Sequence, residues 1–235
     1  IPGFIERISQ RDYRGAYSVI TGANLLPAIC GRVCPQESQC EGVCPVGETL
    51  KPVAIGKGEQ FTPEFLALSP NNRIPAIKDP EGPDGALLSL FESGAILQYL
   101  GRKTGLFYPS DERARAEVDQ WLFWQMAGVG PMYGQASHFL IYAPALVDDP
   151  AKIAYGGKRY CDEVNRLLGV LNRRLADRAF IAGAYSIAVM ATYPWVTMST
   201  MLGQDLASFA HVKAWMGRLA ARPAVQKGMS ATAGL

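Results

Sequence analysis

The sequence has few charged residues, almost no excess of either sign, no long apolar run and only two histidines. Lysine and arginine number 23 and aspartate and glutamate 21, so the net charge is +2. This balance excludes the strong excess of positive charge that is typical of proteins that bind nucleic acid or an anionic membrane surface. No stretch approaches the roughly 18 apolar residues of a spanning helix, so we expect no membrane partner. Residues 1–10 include Glu6 and Arg7 and are not typical of an export signal, so we expect a cytoplasmic protein.

Cysteine is scarce outside one short segment. Four of the five cysteines follow the spacing Cys30-x3-Cys34-x5-Cys40-x3-Cys44, and Cys161 lies far downstream. The glycines and prolines between them favour a loop that wraps around a small object. Thiolates in such a loop are soft ligands for an iron–sulfur cluster or for zinc, although structural zinc sites favour shorter spacings. A disulfide framework and four reduced thiols are the open alternatives.

Residues 1–56 carry further evidence about these cysteines. The strings IPGFIERISQRDYRGAY, CGRVCPQ, QCEGVC and KPVAIG closely resemble the N-terminal iron–sulfur module of the glutamate synthase small subunit family. The resemblance implies electron transfer through 4Fe-4S clusters, with these four cysteines as metal ligands. In that family, a second cysteine group lies upstream of the Ile-Pro-Gly-Phe string, and the two groups jointly hold two clusters. The four cysteines of this chain match only one of the two groups, so we expect weaker cluster binding.

From Gly56 onward the pattern changes. A short helix is predicted over 63–70, and two strands are predicted over 71–79 and 86–93, separated by an Asp-Pro-Glu-Gly turn. A helix is predicted to begin at Ser93. After a linker at 108–110, the remaining apolar spacing predicts an irregular segment over 127–139 and helices over 113–125, 154–177, 186–202 and 212–221.

Four strings in this region resemble a bacterial glutathione transferase, with the closest likeness to the Nu-class branch. They are GKGEQFTPEFLALSPNNRIPAI, LLSLFESGAILQYL, WLFWQMAGVGPMYGQASHF and SIAVMATYPWV. The resemblance covers residues 56–229 and implies a homodimer whose relatives include glutathione-dependent disulfide reductases. We therefore predict an α+β, mostly helical fold, in which a truncated thioredoxin-like unit precedes an all-α glutathione-transferase C-terminal domain. The predicted domains are an iron–sulfur-like segment with a short helical Cys-loop at 1–55, a partial glutathione-binding domain at 56–108 and the helical domain at 109–235.

The same resemblance implies a glutathione site. Pro75 is expected to follow a cis peptide bond after Ile74 and to present main-chain groups to the cysteinyl part of glutathione. Glu92 meets the γ-glutamyl ammonium, while Ser93 and the helix N-terminus hold the γ-glutamyl carboxylate. From the residues alone, a plain N-cap describes Ser93 equally well. The resemblance adds two more glutathione-binding residues, Gln60 and Arg159, and the arginine is otherwise an ordinary solvated helix charge.

The two resemblances meet near Ile55 and Gly56. In the transferase family, the first strand precedes the GKGEQF string, and the group that activates the glutathione thiolate follows that strand. The iron–sulfur-like segment occupies this place here, so the catalytic residue stays unassigned. A second departure lies at Val189, where the family has an acidic residue three positions after Ser186. The loss of that half of a capping box is expected to cost about 0.5–2 kcal/mol.

These observations predict a glutathione S-transferase-like protein with impaired activity. It would use glutathione as a co-substrate, either as nucleophile or as reductant, on electrophilic or disulfide substrates. One alternative is an iron–sulfur electron-transfer fragment of a glutamate-synthase-type oxidoreductase. Another is a non-catalytic helical domain that dimerises. If the chain is active as an enzyme, the resemblance implies a glutathione transferase or a glutathione-dependent disulfide reductase.

Overall fold

The computed structural model describes residues 58–230. The chain divides into two compact units, and the second unit is Gly105–Ala221. The first unit contains the described residues up to Thr104 together with those from Arg222 onward. The predicted Cys-loop segment at 1–55 lies outside the described residues. Between residues 58 and 230, no helix combines the length and apolarity needed to cross a membrane.

The first unit is built on a two-stranded antiparallel sheet. Strand β1 (Ala76–Asp79) pairs with β2 (Leu88–Phe91), and the end pairs of the register are Ala76 with Phe91 and Asp79 with Leu88. Two helices contact both strands. They are α1 (Pro63–Leu68), which follows a short 3-10 turn at Glu59–Phe61, and α2 (Ser93–Thr104); helix α8 (Pro223–Ser230) also belongs to this unit.

Local sequence explains how these helices begin and which faces they bury. The side chain of Thr62 accepts a hydrogen bond from the Phe65 amide at 3.3 Å, and Pro63 occupies the first turn, where a missing N–H costs nothing. Phe65 is buried on α1. On α2, the residues Ile96, Leu97 and Tyr99 are buried at helical spacing, which gives the small sheet one covered face.

Hydrogen bonds to the Asp79 carboxylate join β1 to α2. The carboxylate of Asp79 accepts hydrogen bonds from the Tyr99 hydroxyl and the Lys103 ammonium, and Lys103 also donates to the Glu81 carbonyl at 2.7 Å. Burial raises the pKa of Asp79, but the hydrogen bonds from Lys103 and Tyr99 outweigh it and hold that pKa below its usual value. The end of β1 far from Pro75 is therefore held against the last turn of α2.

The second unit is a bundle of helices. Its helices are α3 (Glu112–Trp124), α4 (Gly130–Ser137), α5 (Pro150–Arg174), α6 (Ile187–Thr197) and α7 (Ala210–Ala220). Apolar spacing predicts α3, α5, α6 and α7, and in the structure α5 packs against α4 and α7 while α6 packs against α3 and α7. Helix α6 is the central helix, since eight of its residues are buried.

The prediction of an irregular segment over 127–139 is wrong. The chain is helical from Glu112 to Tyr142, because π-turns at Gln125–Val129 and His138–Tyr142 continue α3 into α4 and beyond. In each π-turn an amide donates to the carbonyl five residues earlier, as Gly130 does to Gln125. Pro131 comes directly after the first π-turn, so its missing amide falls where the α-helical hydrogen-bond pattern is already interrupted. The buried residues Val129, Tyr133 and Ala136 supply the apolar face.

Candidate functional site

The register of the sheet places two predicted pairs of site residues at the same end of the first unit. Ala76 and Phe91 form the last strand pair. Ile74 and Pro75 immediately precede that pair, and Glu92 and Ser93 immediately follow it. The expected cis peptide bond between Ile74 and Pro75 is confirmed. Four of the six predicted glutathione-binding residues therefore lie at one end of a two-stranded sheet.

This end of the sheet coincides with the start of α2. The Glu92 carbonyl accepts the Ile96 amide at 3.0 Å, so Glu92 occupies the N-cap position and Ser93 is the first helical residue. The interpretation of Ser93 as a plain N-cap is therefore wrong. Ser93 is 5% exposed, whereas Glu92 is exposed and has a left-handed φ of 68°. The first amides of a helix, together with a serine hydroxyl and a carboxylate, can bind the two charged groups of an amino acid.

Gln60 lies in the 3-10 turn at Glu59–Phe61 of the same unit. Its side chain is half-buried, and its Oε1 atom is buried without a hydrogen-bond partner among the described residues. A buried carbonyl oxygen without a donor costs free energy, since it has lost water and gained nothing. The site therefore offers an acceptor for which a ligand N–H is a chemically suitable partner.

One contact at this site was not predicted. The Asn71 side-chain amide donates to Oε1 of Glu92 at 3.4 Å, across a gap of 21 residues in the chain. Asn71 belongs to the turn before β1, where 71–79 was predicted as strand. The signal was present, because two consecutive asparagines after Ser-Pro are typical of a turn. The strand itself begins only at Ala76.

Arg159 lies in the second unit, on the exposed face of α5. It lines a cleft of about 970 Å³ within that unit, together with Met132, Tyr155 and Tyr160. Two ion pairs occupy the same cleft, one from Lys158 to Asp162 at 2.6 Å and one from Arg166 to Glu163 at 2.7 Å.

Arg159 differs from the other two cations of this cleft. Lys158 and Arg166 each hold a carboxylate, whereas Arg159 has no hydrogen bond or ion pair with any of the described residues. Hydrogen bonds from Arg166 lower the pKa of Glu163, and the nearby charge of Arg159 lowers it further. The guanidinium of Arg159 is therefore available to an anionic ligand.

The predicted metal ligands Cys30, Cys34, Cys40 and Cys44 lie outside the described residues. Within 58–230, no three His, Cys, Asp or Glu side chains are grouped as metal ligands would be. Cys161 is half-buried in α5, and burial raises the pKa of its thiol. A thiol in this state is a poor nucleophile, so we assign no chemistry to it.

Family models match three parts of the chain. The models for the glutathione S-transferase N-terminal and C-terminal domains match residues 48–102 and 158–223. A model for dihydropyrimidine dehydrogenase domain II, 4Fe-4S cluster, matches residues 1–68 and confirms the likeness of the N-terminal segment to an iron–sulfur module. Residues 48–68 belong to two of these matches, and the predicted junction near Ile55 and Gly56 lies inside them.

Individual proteins similar to this chain cover about three quarters of its length. Disulfide-bond oxidoreductase YfcG of Escherichia coli is 50% identical over 179 residues, which span 75% of this chain and 80% of the relative. A glutathione transferase family member from Pseudomonas fluorescens, solved with two glutathione bound, is 43% identical with a TM-score of 0.68, over 75% of this chain and 79% of that one. The glutathione transferase of Pseudomonas putida, solved with one glutathione disulfide per subunit, is 42% identical with a TM-score of 0.68, over 75% and 77%.

The chain belongs to the glutathione S-transferase family. The predicted fold class is confirmed, with a thioredoxin-like N-terminal domain that contributes a small sheet and a helical C-terminal domain. The predicted boundaries at residues 55 and 108 stay predictions.

Proposed function

We propose that this chain binds glutathione at the end of the sheet where α2 begins. The observation that carries the proposal is the register, which places Ile74 and Pro75 beside Glu92 and Ser93 at that end. The first amides of α2 and the Ser93 hydroxyl bind the γ-glutamyl carboxylate, and the Glu92 carboxylate binds the ammonium. The main chain at Ile74 and Pro75 pairs with the cysteinyl part.

Two further residues complete the proposed set. The buried Oε1 of Gln60 accepts an N–H group of the tripeptide, which would remove its unpaired state. Arg159, in the second unit, is proposed to bind a carboxylate of a glutathione molecule, since its guanidinium has no hydrogen bond or ion pair with residues 58–230. The solved relatives that contain glutathione or glutathione disulfide support this choice of ligand.

The chemistry we propose is attack by the glutathione thiolate on an electrophile or on a disulfide. With a disulfide RSSR, the thiolate attacks one sulfur, the S–S bond breaks, and RS⁻ leaves with the electron pair. A second glutathione thiolate then attacks the mixed disulfide and gives glutathione disulfide and a second thiol. The two electrons come from two molecules of glutathione, so no other reductant is needed. The name of the relative YfcG, a disulfide-bond oxidoreductase, favours this reaction over simple conjugation.

Turnover is proposed to be weak or absent. A transferase lowers the pKa of the glutathione thiol by donating a hydrogen bond to the thiolate, and no residue is assigned to that role. The available donors before the junction, Ser9, Ser18, Thr21 and Asn24, lie outside the described residues and stand in no matching sequence context. In the proposed domain arrangement, residues 56–108 therefore bind glutathione without activating it fully.

Binding and turnover are tested separately. The purified chain is applied to immobilised glutathione and titrated with free glutathione by calorimetry, and Glu92→Gln and Ser93→Ala are compared with Glu64→Gln, an exposed residue of α1. We expect the two site variants to weaken binding at least tenfold and the control to match the parent. Equal affinity in all four proteins would overturn the binding site. Glutathione-dependent reduction of hydroxyethyl disulfide at a rate typical of an enzyme would overturn the proposed impairment.

A second candidate function comes from the match of residues 1–68 to the 4Fe-4S family model. We propose that Cys30, Cys34, Cys40 and Cys44 supply thiolates to an iron–sulfur cluster. The test is anaerobic reconstitution with iron and sulfide, followed by iron analysis and an absorption spectrum. About four irons per chain, lost in a variant with all four cysteines changed to serine, would support the cluster. An iron content equal in the parent and the variant would overturn it.

A homodimer is the proposed assembly. The segment after α4 exposes five large apolar side chains, and Phe123 on α3 is 61% exposed. Apolar surface of this kind on a soluble domain is typical of an interface. Sedimentation at several protein concentrations tests this assembly, and a monomer at every concentration would contradict it. A dimer that binds neither glutathione nor iron would instead fit the alternative of a non-catalytic helical domain. The five exposed apolar side chains after α4 are Leu140, Ile141, Tyr142, Leu146 and Val147.

The proposed location is the cytoplasm, where glutathione is kept largely reduced. Cell fractionation with an antibody tests it.

A further inference from the structure

Asn71 is held in a fixed position by the turn before β1. The Asn72 amide donates to the Ser69 carbonyl at 2.9 Å, and the Ser69 hydroxyl donates to the Arg73 carbonyl at 2.8 Å. Ser69 is fully buried, so its side chain anchors the turn to the interior of the unit. Asn72 has a left-handed φ of 47°, a conformation that asparagine adopts more readily than most residues. The turn therefore presents the Asn71 side chain from a rigid base.

From this base, Asn71 reaches one oxygen of Glu92. Its Nδ2 atom donates to Oε1 of Glu92 at 3.4 Å. Glu92 is exposed and has three side-chain torsions, so without a partner its carboxylate would sample many positions. An amide N–H on one oxygen leaves the other oxygen free for a second donor. The contact joins two segments 21 residues apart at the end of the sheet where the site lies.

We propose that Asn71 is a positioning residue that orients the Glu92 carboxylate toward the γ-glutamyl ammonium of glutathione. Asn71 donates to Oε1 and leaves Oε2 of Glu92 to accept from the ammonium. The side chain thereby selects ligands that carry a free α-amino group. This inference rests on the proposed binding of glutathione at Glu92 and Ser93.

The experiment compares two ligands and three variants. Glutathione and N-acetylglutathione, which lacks the ammonium, are titrated by calorimetry into the parent, Asn71→Ala, Asn71→Asp and the control Glu64→Gln. We expect Asn71→Ala to weaken glutathione binding about threefold to tenfold, the effect of one lost hydrogen bond, and to leave N-acetylglutathione binding unchanged. Asn71→Asp should weaken glutathione binding at least as much, because its carboxylate cannot donate to Oε1 and repels the Glu92 carboxylate out of position.

A double-variant cycle separates positioning from a structural role. In a Glu92→Ala background, Asn71→Ala should have no further effect on glutathione binding. An equal loss for both ligands, or an undiminished loss without Glu92, would assign Asn71 a structural role and overturn the inference. Unchanged glutathione binding in Asn71→Ala would overturn it as well. If the parent binds neither ligand, the proposed function itself fails, and that result is distinct from failure at Asn71.

Discussion

Ser186 and Val189 stand at the first turn of α6, and neither side chain closes the end of the helix. The Ser186 hydroxyl is buried without a hydrogen-bond partner among residues 58–230 and does not cap the helix. The Val189 amide donates to the Ser186 carbonyl at 3.0 Å, and the Val189 side chain is fully buried. Both halves of the expected capping box are therefore missing, where the sequence predicted the loss of only one.

The first prediction concerns this hydroxyl. Ser186→Ala should leave the free energy of unfolding unchanged or raise it by up to about 1 kcal/mol, because it removes a buried hydroxyl that makes no hydrogen bond with the described residues. Asp111→Ala at the start of α3 should cost about 1 kcal/mol, since its carboxylate accepts the Ala114 amide at 2.9 Å. Urea denaturation of both variants checks the contrast. A loss of more than about 1 kcal/mol in Ser186→Ala would contradict the unpaired state of the hydroxyl.

The second prediction is that Val189→Asp stabilises the protein. A carboxylate at this position can accept hydrogen bonds at the start of α6 and favourably meets the positive end of the helix dipole. We expect a gain of about 1 kcal/mol in the parent and a smaller gain in a Ser186→Ala background. Thermal denaturation of the two single variants and the double variant measures both. Destabilisation by Val189→Asp in both backgrounds would show that the cost of burying the carboxylate prevails.

The third prediction concerns alkaline pH. Burial raises the pKa of Tyr133 from 10.0 to about 12. Because the folded-state pKa is the higher one, the contribution of Tyr133 is complete below about pH 10 and is lost as pH rises through about 12. Relative to Tyr133→Phe, the parent should therefore lose up to about 2 kcal/mol of stability over that range. Urea denaturation at several pH values, with the variant as reference, measures this loss.

At neutral pH the same variant reports on a hydrogen bond. The Ser199 hydroxyl donates its only proton to the Val196 carbonyl at 2.7 Å, so the Tyr133 hydroxyl must donate to Ser199, at 2.8 Å. Tyr133→Phe should cost about 1 kcal/mol there, while Ser199 keeps its other bond. A parent and variant that lose stability in parallel from neutral to strongly alkaline pH would refute the assignment to Tyr133.

The fourth prediction compares two helical glycines. A Cβ at Gly156 would overlap the ring of Phe139, which stacks on Tyr160. Gly156→Ala should therefore destabilise the protein by about 1–3 kcal/mol through overpacking. Gly217→Ala, where a Cβ would meet nothing within 4 Å, should stabilise it by about 0.5–1 kcal/mol. Thermal melts of the pair provide the measurement, and a stabilising Gly156→Ala would contradict the close packing of Phe139.

The helices of the second unit could be predicted where an apolar face repeats. In α5 the buried residues Val164, Leu167, Leu168 and Leu171 recur at the helical spacing that predicts the helix. The predicted start of α5 is four residues late, because the first turn of the helix contributes no buried residue to the apolar face. Asp149 defines that start instead, with its carboxylate accepting the Ala151 amide at 3.1 Å and Pro150 at the first position.

The candidate site was partly visible in the sequence. Glu92 and Ser93 could be placed at a strand-to-helix junction because the period of the apolar pattern changes there. The contact between Asn71 and Glu92 could not be predicted, since it depends on the exact register of β1 and β2 and on a rigid turn. Periodicity describes faces of helices and strands, whereas a contact across 21 residues is a property of the folded unit.

The π-turn at Gln125–Val129 determines the directions in which the later side chains of the same helix point. A π-turn contains one residue more than an α-turn, and one residue corresponds to about 100° around a helix axis. Tyr133 points toward Ser199 only with that extra residue in place. Removal of a single residue from this stretch would therefore rotate the buried side chains of Tyr133 and Ala136 out of the core by about a quarter of a turn, so this helix tolerates substitution better than deletion.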